Sequence, residues 1–340
     1  MQYVLICPNY WPENRQGDPM EINGIGKDVS SGYIDGRLDR LEQCLKYYSE
    51  LGYTVAEVPI TGLSVVVNGK LLSSPVQRVT EILAKYDFRY TVHAPNRTNL
   101  AYGYNHHLEK SVLTASIEFC QIIGAKRLVY HSGLQALDAA HTDTAMLPSD
   151  DDLQRGKEQE INALIDLAPI AADAEVVIGL ENGDPHLWEY AVLQQNSRQP
   201  HELAKYHARL RIAPIIEQLE AVNHPNIGMT LDLAHLHLAT HALGDDYLAA
   251  VEEASPWVRH LHINDNFGKL DVGFNNEQDR LPYGEADLHL PIGWAAIPFA
   301  EAFARLKDYQ GDIILEIKDR YWDYFGEALQ NTKQILERDA

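Results

Sequence analysis

Six apolar runs and one polar loop in this chain end on side chains that can bind a proton or a cation. They are His93 in YTVHAPN, His131 in LVYHSG, Glu181 in VIGLENGD, and Asp232 in GMTLDLAHLHLA, with His235 one helical turn later. His262 follows in HLHIND, Asp287 and His289 in the loop ADLHLPIG, and Glu316 in ILEIKD. A strand buried in a core has no use for such groups, because a buried charge is costly unless it is paired or bound to metal. Asp287 and His289 are separated by one residue, so on an extended backbone both side chains leave on the same side. Nine imidazole and carboxylate donors with no Cys among them suit Zn²⁺ or Mn²⁺. At roughly four ligands per ion they provide for two or three divalent metal ions per chain. Taken singly, each has an ordinary use. A strand-end His is commonly just hydrogen-bonded, Glu181 and Glu316 could pair with Arg or Lys, and Asp232 could cap the segment after it. Those uses would have to hold independently at every one of these places, which favours the joint reading. His106, His107, His237 and His260 are read as structural or surface residues. His260 and His262 share a strand face, and only depth separates them.

The elements that must position these groups are visible as alternation. Short β-branched or apolar runs lie near 23–28, 54–59, 89–94, 127–132, 176–181, 226–232, 258–263 and 312–317. Helical patterns fill the gaps, at 36–51, 74–85, 105–124, 151–173, 209–222, 245–254, 296–308 and 323–338. In LEKSVLTASIEFCQIIG the apolar residues Val112, Leu113, Ile117, Phe119 and Ile122 recur at roughly helical spacing before Gly124. Eight strand–helix units predict an α/β fold, a single-domain parallel (β/α)8 TIM barrel, which brings all the C-terminal strand ends into one ring. An open doubly wound sheet is the competitor, and the lack of a Gly-rich phosphate fingerprint after any strand counts against it. The barrel is expected over 22–340, behind an N-terminal extension, 1–21, whose Tyr, Trp and Pro content suggests an ordered cap. Two long connections, 182–208 and 264–295, fall after strands, on the C-terminal face, and read as lids or substrate walls.

Composition narrows the function classes. The net charge is −21, from 49 acidic against 28 basic residues, and the sequence has scattered basic pairs rather than a basic run. A nucleic-acid binder carries Lys and Arg to replace phosphate counterions, so nucleic-acid partners are disfavoured and a small molecule, met by a local basic pocket at most, is expected. No apolar stretch approaches the roughly 20 residues that span a bilayer. The N-terminal MQYVLICPNYWPEN has no basic segment ahead of its apolar run, so no secretory signal is expected. Three widely spaced cysteines, Cys7, Cys44 and Cys120, form no disulfide framework, and a reducing, cytoplasmic setting is expected. The oligomeric state is left open.

In the order HAP, H-x-G, LEN, D-x-x-H, H-x-N-D, D-x-H and E, these motifs resemble the xylose isomerase-like TIM-barrel superfamily, nearest its endonuclease IV-like branch. The resemblance runs from about residue 22 to 320. It implies that His93 and His131 hold one ion and that Glu181 bridges to a second, completed by Asp232, His262 and Glu316; His235, Asp287 and His289 would hold a third. In the sugar isomerases and epimerases of the superfamily only the middle set is generally used: here Glu181, Asp232, His262 and Glu316. The chain departs from the branch at PIGWAAIPF, where a G-x-G turn is common, and at Asn96, where endonuclease IV has an aromatic residue. Residues that pry into DNA have no clear equivalent. Two activities follow. The first is hydrolysis of a small phosphate ester or phosphodiester of sugar-phosphate type at a two- or three-metal centre. The second is divalent-metal-dependent isomerisation or epimerisation of a sugar or sugar phosphate, with Glu181 and Glu316 as the acid–base pair. His93, His131, Asp287 and His289 have no necessary role in the second, so the first is the favoured expectation. Lys318, two residues after Glu316, is expected to meet a substrate phosphate or carboxylate. Trp294 is expected to stack on a sugar ring, and Asn182 to contact substrate beside Glu181.

Overall fold

A computed structural model describes residues 20–137, 146–270 and 277–338. Eight parallel strands close into a barrel: β1 (Glu21–Asp28), β2 (Val55–Pro59), β3 (Arg89–His93), β4 (Arg127–His131), β5 (Val177–Glu181), β6 (Ile227–Asp232), β7 (Val258–Ile263) and β8 (Gln310–Leu315). Each pairs with its neighbours in chain order, and β8 pairs back onto β1. The expected barrel is therefore the fold, and every strand lies within a residue or two of its expected place. The proposed N-terminal cap falls, but for its last residues, outside the described ones.

Around the barrel run α1 (Leu38–Leu51), α2 (Ser73–Leu83), α3 (His106–Ile123), α4 (Asp150–Asp173), α5 (Leu187–Gln195), α6 (Ile212–Val222), α7 (Leu233–Leu243), α8 (Tyr247–Ala254), α9 (Phe299–Phe303) and α10 (Phe325–Arg338). Asn105 caps α3 by accepting from Leu108 N, and Gly124 closes it at φ 74°, a conformation open to glycine at little cost. Two elements differ from expectation for physical reasons. The α7 segment LAHLHLATHAL is buried from Leu233 through Thr240, so it has no polar face to mark a helical period. The helix expected over 296–308 shrinks to α9, because Pro298 occupies its N-cap and Ala304 ends it.

Ile, Leu and Val from strands and helices fill the layer between them, with Leu41, Leu45, Leu113, Leu128, Ile178 and Leu231 fully buried. Each such side chain contributes roughly 1.5–3 kcal/mol by leaving water. Register then sets the height of the strand ends. His131 pairs with Glu181 across β4 and β5, and Asp232 pairs with His262 across β6 and β7. A Cβ at Gly179 would collide with the Thr230 side chain, so the β5–β6 pairing beneath the site needs glycine there. Cys44 and Cys120 are buried free thiols. Among the described residues no helix is long and apolar enough to cross a membrane.

Candidate metal centre

The barrel mouth brings all nine expected residues together as three groups of facing donors. Glu181, Asp232, His262 and Glu316 offer atoms within 4.8 Å of one another, as do His93, His131 and Glu181, and His235, Asp287 and His289. Glu181 belongs to two groups by dividing its carboxylate. Its Oε2 lies 3.1 Å from His131 Nε2 and 3.6 Å from His93 Nε2, while Oε1 lies 3.1 Å from His262 Nδ1. Glu316 Oε1 approaches the same His262 Nδ1 at 3.3 Å. Asp287 Oδ2 stands 2.5 Å from His289 Nε2 and 3.8 Å from His235 Nε2.

Backbone contacts aim these side chains. Asp232 serves two purposes at once: Oδ1 accepts from Ala234 N (2.7 Å) and His235 N (2.8 Å) as the cap of α7, and the buried Oδ2 has no hydrogen-bond partner. His93, His235 and His289 each turn Nδ1 to a backbone carbonyl, of Ala94 (2.7 Å), Asn182 (3.2 Å) and Glu316 (2.6 Å) respectively. That contact keeps a proton on Nδ1 and turns Nε2 to the centre, where an ion can take the place of the second proton, the arrangement found in metal-ligating histidines. His262 is reversed: Nε2 stands 3.0 Å from Glu57 Oε1, and Nδ1 faces the centre. His289 holds a left-handed backbone at φ 46°, a local strain of the kind that accumulates at functional sites.

The electrostatics are those of carboxylates waiting for cations. Burial works against charge on Glu181, yet His131 and His262 hold it well below the usual carboxylate range. Burial pushes Glu316 the other way, to about 7. Asp232 is also raised, chiefly by burial. Burial likewise resists charge on His93 and His289, but Glu181 and Asp287 override it and raise them to about 9. His131 is lowered by burial to about 4. Buried Glu181 Oε2, Asp232 Oδ2 and Asp287 Oδ1 lack hydrogen-bond partners among the described residues. Orphaned anionic oxygens facing imidazole lone pairs are what a Zn²⁺ or Mn²⁺ ion would satisfy, so the residues present fit such ions.

One contributor escapes the strand-end pattern. Glu57 on β2 is buried, accepts from Thr91 Oγ1 at 2.8 Å, and meets His260 Nε2 at 2.9 Å as well as His262. It therefore ties up His260 by a hydrogen bond and stands behind His262, whose Nε2 and Glu57 Oε1 face each other without hydrogen-bond geometry. Glu57, His260 and His262 form a further group of facing donors. Its sequence signal was a lone carboxylate inside the apolar run TVAEVP.

Above the centre opens a cavity of about 1030 Å³, at the upper end for small-molecule sites. Lys318 lines it, with Nζ 3.2 Å from the Asp287 carbonyl oxygen. The other two expected substrate contacts lie elsewhere. Asn182 is buried and ties β5 to β6, donating to Asp232 O (3.0 Å) and accepting from Asp232 N (2.8 Å), so its amide is already spent on positioning Asp232. Trp294 stands outside the lining, donates to Glu327 Oε1 at 2.8 Å and packs against Tyr321 and Tyr324. Trp188 and Tyr102 supply the aromatic walls instead.

The sequence matches the family described as xylose isomerase-like TIM barrel over residues 45–338. The chain belongs to that family. An uncharacterized protein of Methanocaldococcus jannaschii is 20% identical over 274 residues, covering 78% of this chain and 77% of that one. Among solved structures the chain is similar to 3-keto-D-glucoside 4-epimerase from E. coli, at 14% identity and TM-score 0.61, covering 92% of this chain and 99% of that one. D-allulose 3-epimerase from Methylomonas sp., in complex with D-allulose, matches at 16% identity and TM-score 0.61, over 94% of this chain and 98% of that one. A D-tagatose 3-epimerase-like protein matches at 18% identity and TM-score 0.59, covering 93% and 98%. At these identities the likeness is one of fold. The structures named are epimerases, so the finer resemblance to the endonuclease IV branch rests on the nine residues alone.

Proposed function

We propose that the chain is a divalent-metal-dependent sugar isomerase or epimerase working on a small molecule, with Glu181 and Glu316 handling the proton. One observation carries this reading. The two glutamates stand at the ends of β5 and β8, the outer members of four neighbouring strands, with Asp232 and His262 between them, and both carboxylates reach His262 Nδ1. Family membership and epimerase-like architecture support it. It reverses the order of the two activities expected from sequence.

When bound, a divalent ion (Zn or Mn) among these four residues polarises the substrate carbonyl and its neighbouring hydroxyl. The protein supplies the rest. Glu181, kept ionised by His131 and His262, takes the proton from the carbon beside the carbonyl. Glu316, whose burial favours the protonated form, returns one from the opposite face. His235, which lines the cavity, contacts a substrate oxygen in this reading.

A second reading, hydrolysis of a small phosphate ester or phosphodiester, is favoured by a different observation. Glu181 spans two groups, and His93, His131, Asp287 and His289 converge on the centre although one-ion epimerisation does not require them. In that reading Glu181 orients the attacking water. Incubating the metal-loaded protein with ketoses and their phosphates in D₂O separates the two. Deuterium appearing at the carbon beside the carbonyl, and absent with Glu316→Gln, supports the first. Cleavage of a generic phosphodiester without exchange selects the second.

A further inference from the structure

The wall of the cavity holds a cation that the metal centre does not use. Arg209 is 6% exposed, lines the cavity, and is held from behind by a relay of buried groups. Its Nε donates to His207 Nε2 at 3.0 Å, and its terminal nitrogen donates to Gln135 Oε1 at 3.1 Å. Because His207 Nε2 accepts, its proton lies on Nδ1, which faces Glu189 Oε1 at 2.9 Å. Gln135 Nε2 also donates to Glu189, at 2.9 Å, and His186 N donates to the other oxygen, at 2.9 Å. Gly183 makes room: a Cβ there would lie 2.8 Å from both Arg209 Nε and His207 Nε2.

His186, Glu189 and His207 have the residue types of a metal site, but the donor atoms of Glu189 and His207 are taken by hydrogen bonds. The His207 lone pair is taken by Arg209, and Glu189 is surrounded by N–H donors. What the relay does is hold a guanidinium still. That guanidinium is permanently charged, yet among the described residues it has no carboxylate at ion-pair distance. Its acceptors are a neutral imidazole and an amide oxygen. Asp184, which also lines the cavity, faces His186 Nε2 at 3.8 Å, and the Arg209 charge also acts on the buried Glu160 carboxylate. A buried cation with no carboxylate at ion-pair distance is costly, and Arg209 lines the cavity from which an anion could reach it. The location is close to the chemistry. The Arg209 charge acts on His131, adding to the burial that lowers that residue.

We infer that Arg209, held by His207 and Gln135, is an anion subsite that receives a phosphate or carboxylate group of the substrate. The planar fork of a guanidinium matches two oxygens of either group, and a fixed fork gives up little entropy on binding. The substrate class is accordingly a sugar phosphate or a sugar acid rather than a neutral sugar. This deepens the proposed activity, on which its substrate-class conclusion rests. The cavity exceeds what a single small ring needs and leaves room for the second group.

The test is calorimetric binding of two probes, methyl phosphate and acetate, to the metal-loaded protein and to the chelator-treated protein. At least one probe binds the wild type in both forms, and the tighter of the two tells phosphate from carboxylate. Arg209→Gln weakens that binding about 10- to 100-fold, with metal content unchanged by elemental analysis. If Arg209→Gln fails to fold, Arg209→Lys serves: it keeps the charge but loses the fork, and loses at least about threefold. Neither probe binding the wild type overturns the inference. So does undiminished binding in a folded Arg209 variant, or binding that disappears with the metal but survives Arg209→Gln, which would put the anion on the ions. Because these readouts need no turnover, a protein that binds anions through Arg209 yet exchanges no sugar hydrogen refutes the proposed activity and leaves the subsite standing.

Discussion

Two histidine–carboxylate clusters face the same cavity, and they use the same chemistry to opposite ends. Around Glu181 and Asp287, the rings of His93, His235 and His289 turn Nδ1 outward to backbone carbonyls, and carboxylate oxygens are left bare. Around Glu189 both carboxylate oxygens accept hydrogen bonds, and the lone pair of His207 Nε2 is filled by Arg209. Residue type therefore does not define a metal site. Unsatisfied, converging lone pairs do, since only a cation can relieve them.

The comparison can be broken at several points. Glu181→Gln should cost at least about 1,000-fold in turnover, because it removes the group shared by two donor sets, and elemental analysis should show ions lost. Glu189→Gln should leave metal content unchanged and instead destabilise the fold by roughly 3–5 kcal/mol, the usual cost of breaking a buried charge network, read from denaturant unfolding. The opposite pattern would erase the distinction. Glu57→Gln keeps the shape behind His262 but removes the charge, and should weaken metal affinity about 10- to 100-fold in a competition titration.

The same contrast has a pH signature. Without metal, His93 and His289 have folded-state values of about 9 against an ordinary 6.5. The stability they contribute is present below 6.5 and is lost as pH rises through about 9. Glu316, raised to about 7, adds a loss of the same sign starting from its ordinary 4.5. Bound ions replace these protons, so the gap in Tm between loaded and stripped protein should widen from pH 6.5 to 9. A constant gap would mean the imidazoles do not face the ions. The smallest effect belongs to Trp294→Phe, which should change turnover by less than about twofold and stability by no more than about 0.5 kcal/mol, as for surface substitutions generally.

The barrel was legible because its strands are short apolar runs with a regular recurrence, and the nine donors stood out because polar groups closing such runs are conspicuous. What escaped depends on neighbours distant in sequence. Asn182 looked available beside Glu181, but its amide is paired with the backbone of Asp232, 50 residues away. Trp294 sits in the right loop but turns to Glu327 on α10. Glu57 acts only through two histidines about 200 residues later, and Arg209 acquires its role from Gln135 and His207. The extent of α7 did not show as a helical pattern, because the helix is buried all round from Leu233 through Thr240. Function was the least legible of all, since one donor set serves two chemistries and residue types alone do not choose between them.

The most direct measurement is the divalent-metal content of the chain purified without added metal, compared with Asp232→Ala, which removes both the orphaned oxygen and the cap of α7. At least one zinc or manganese ion per wild-type chain, reduced in the variant, is the predicted result. A wild-type protein that arrives free of metal, and takes up neither ion on titration, would contradict it.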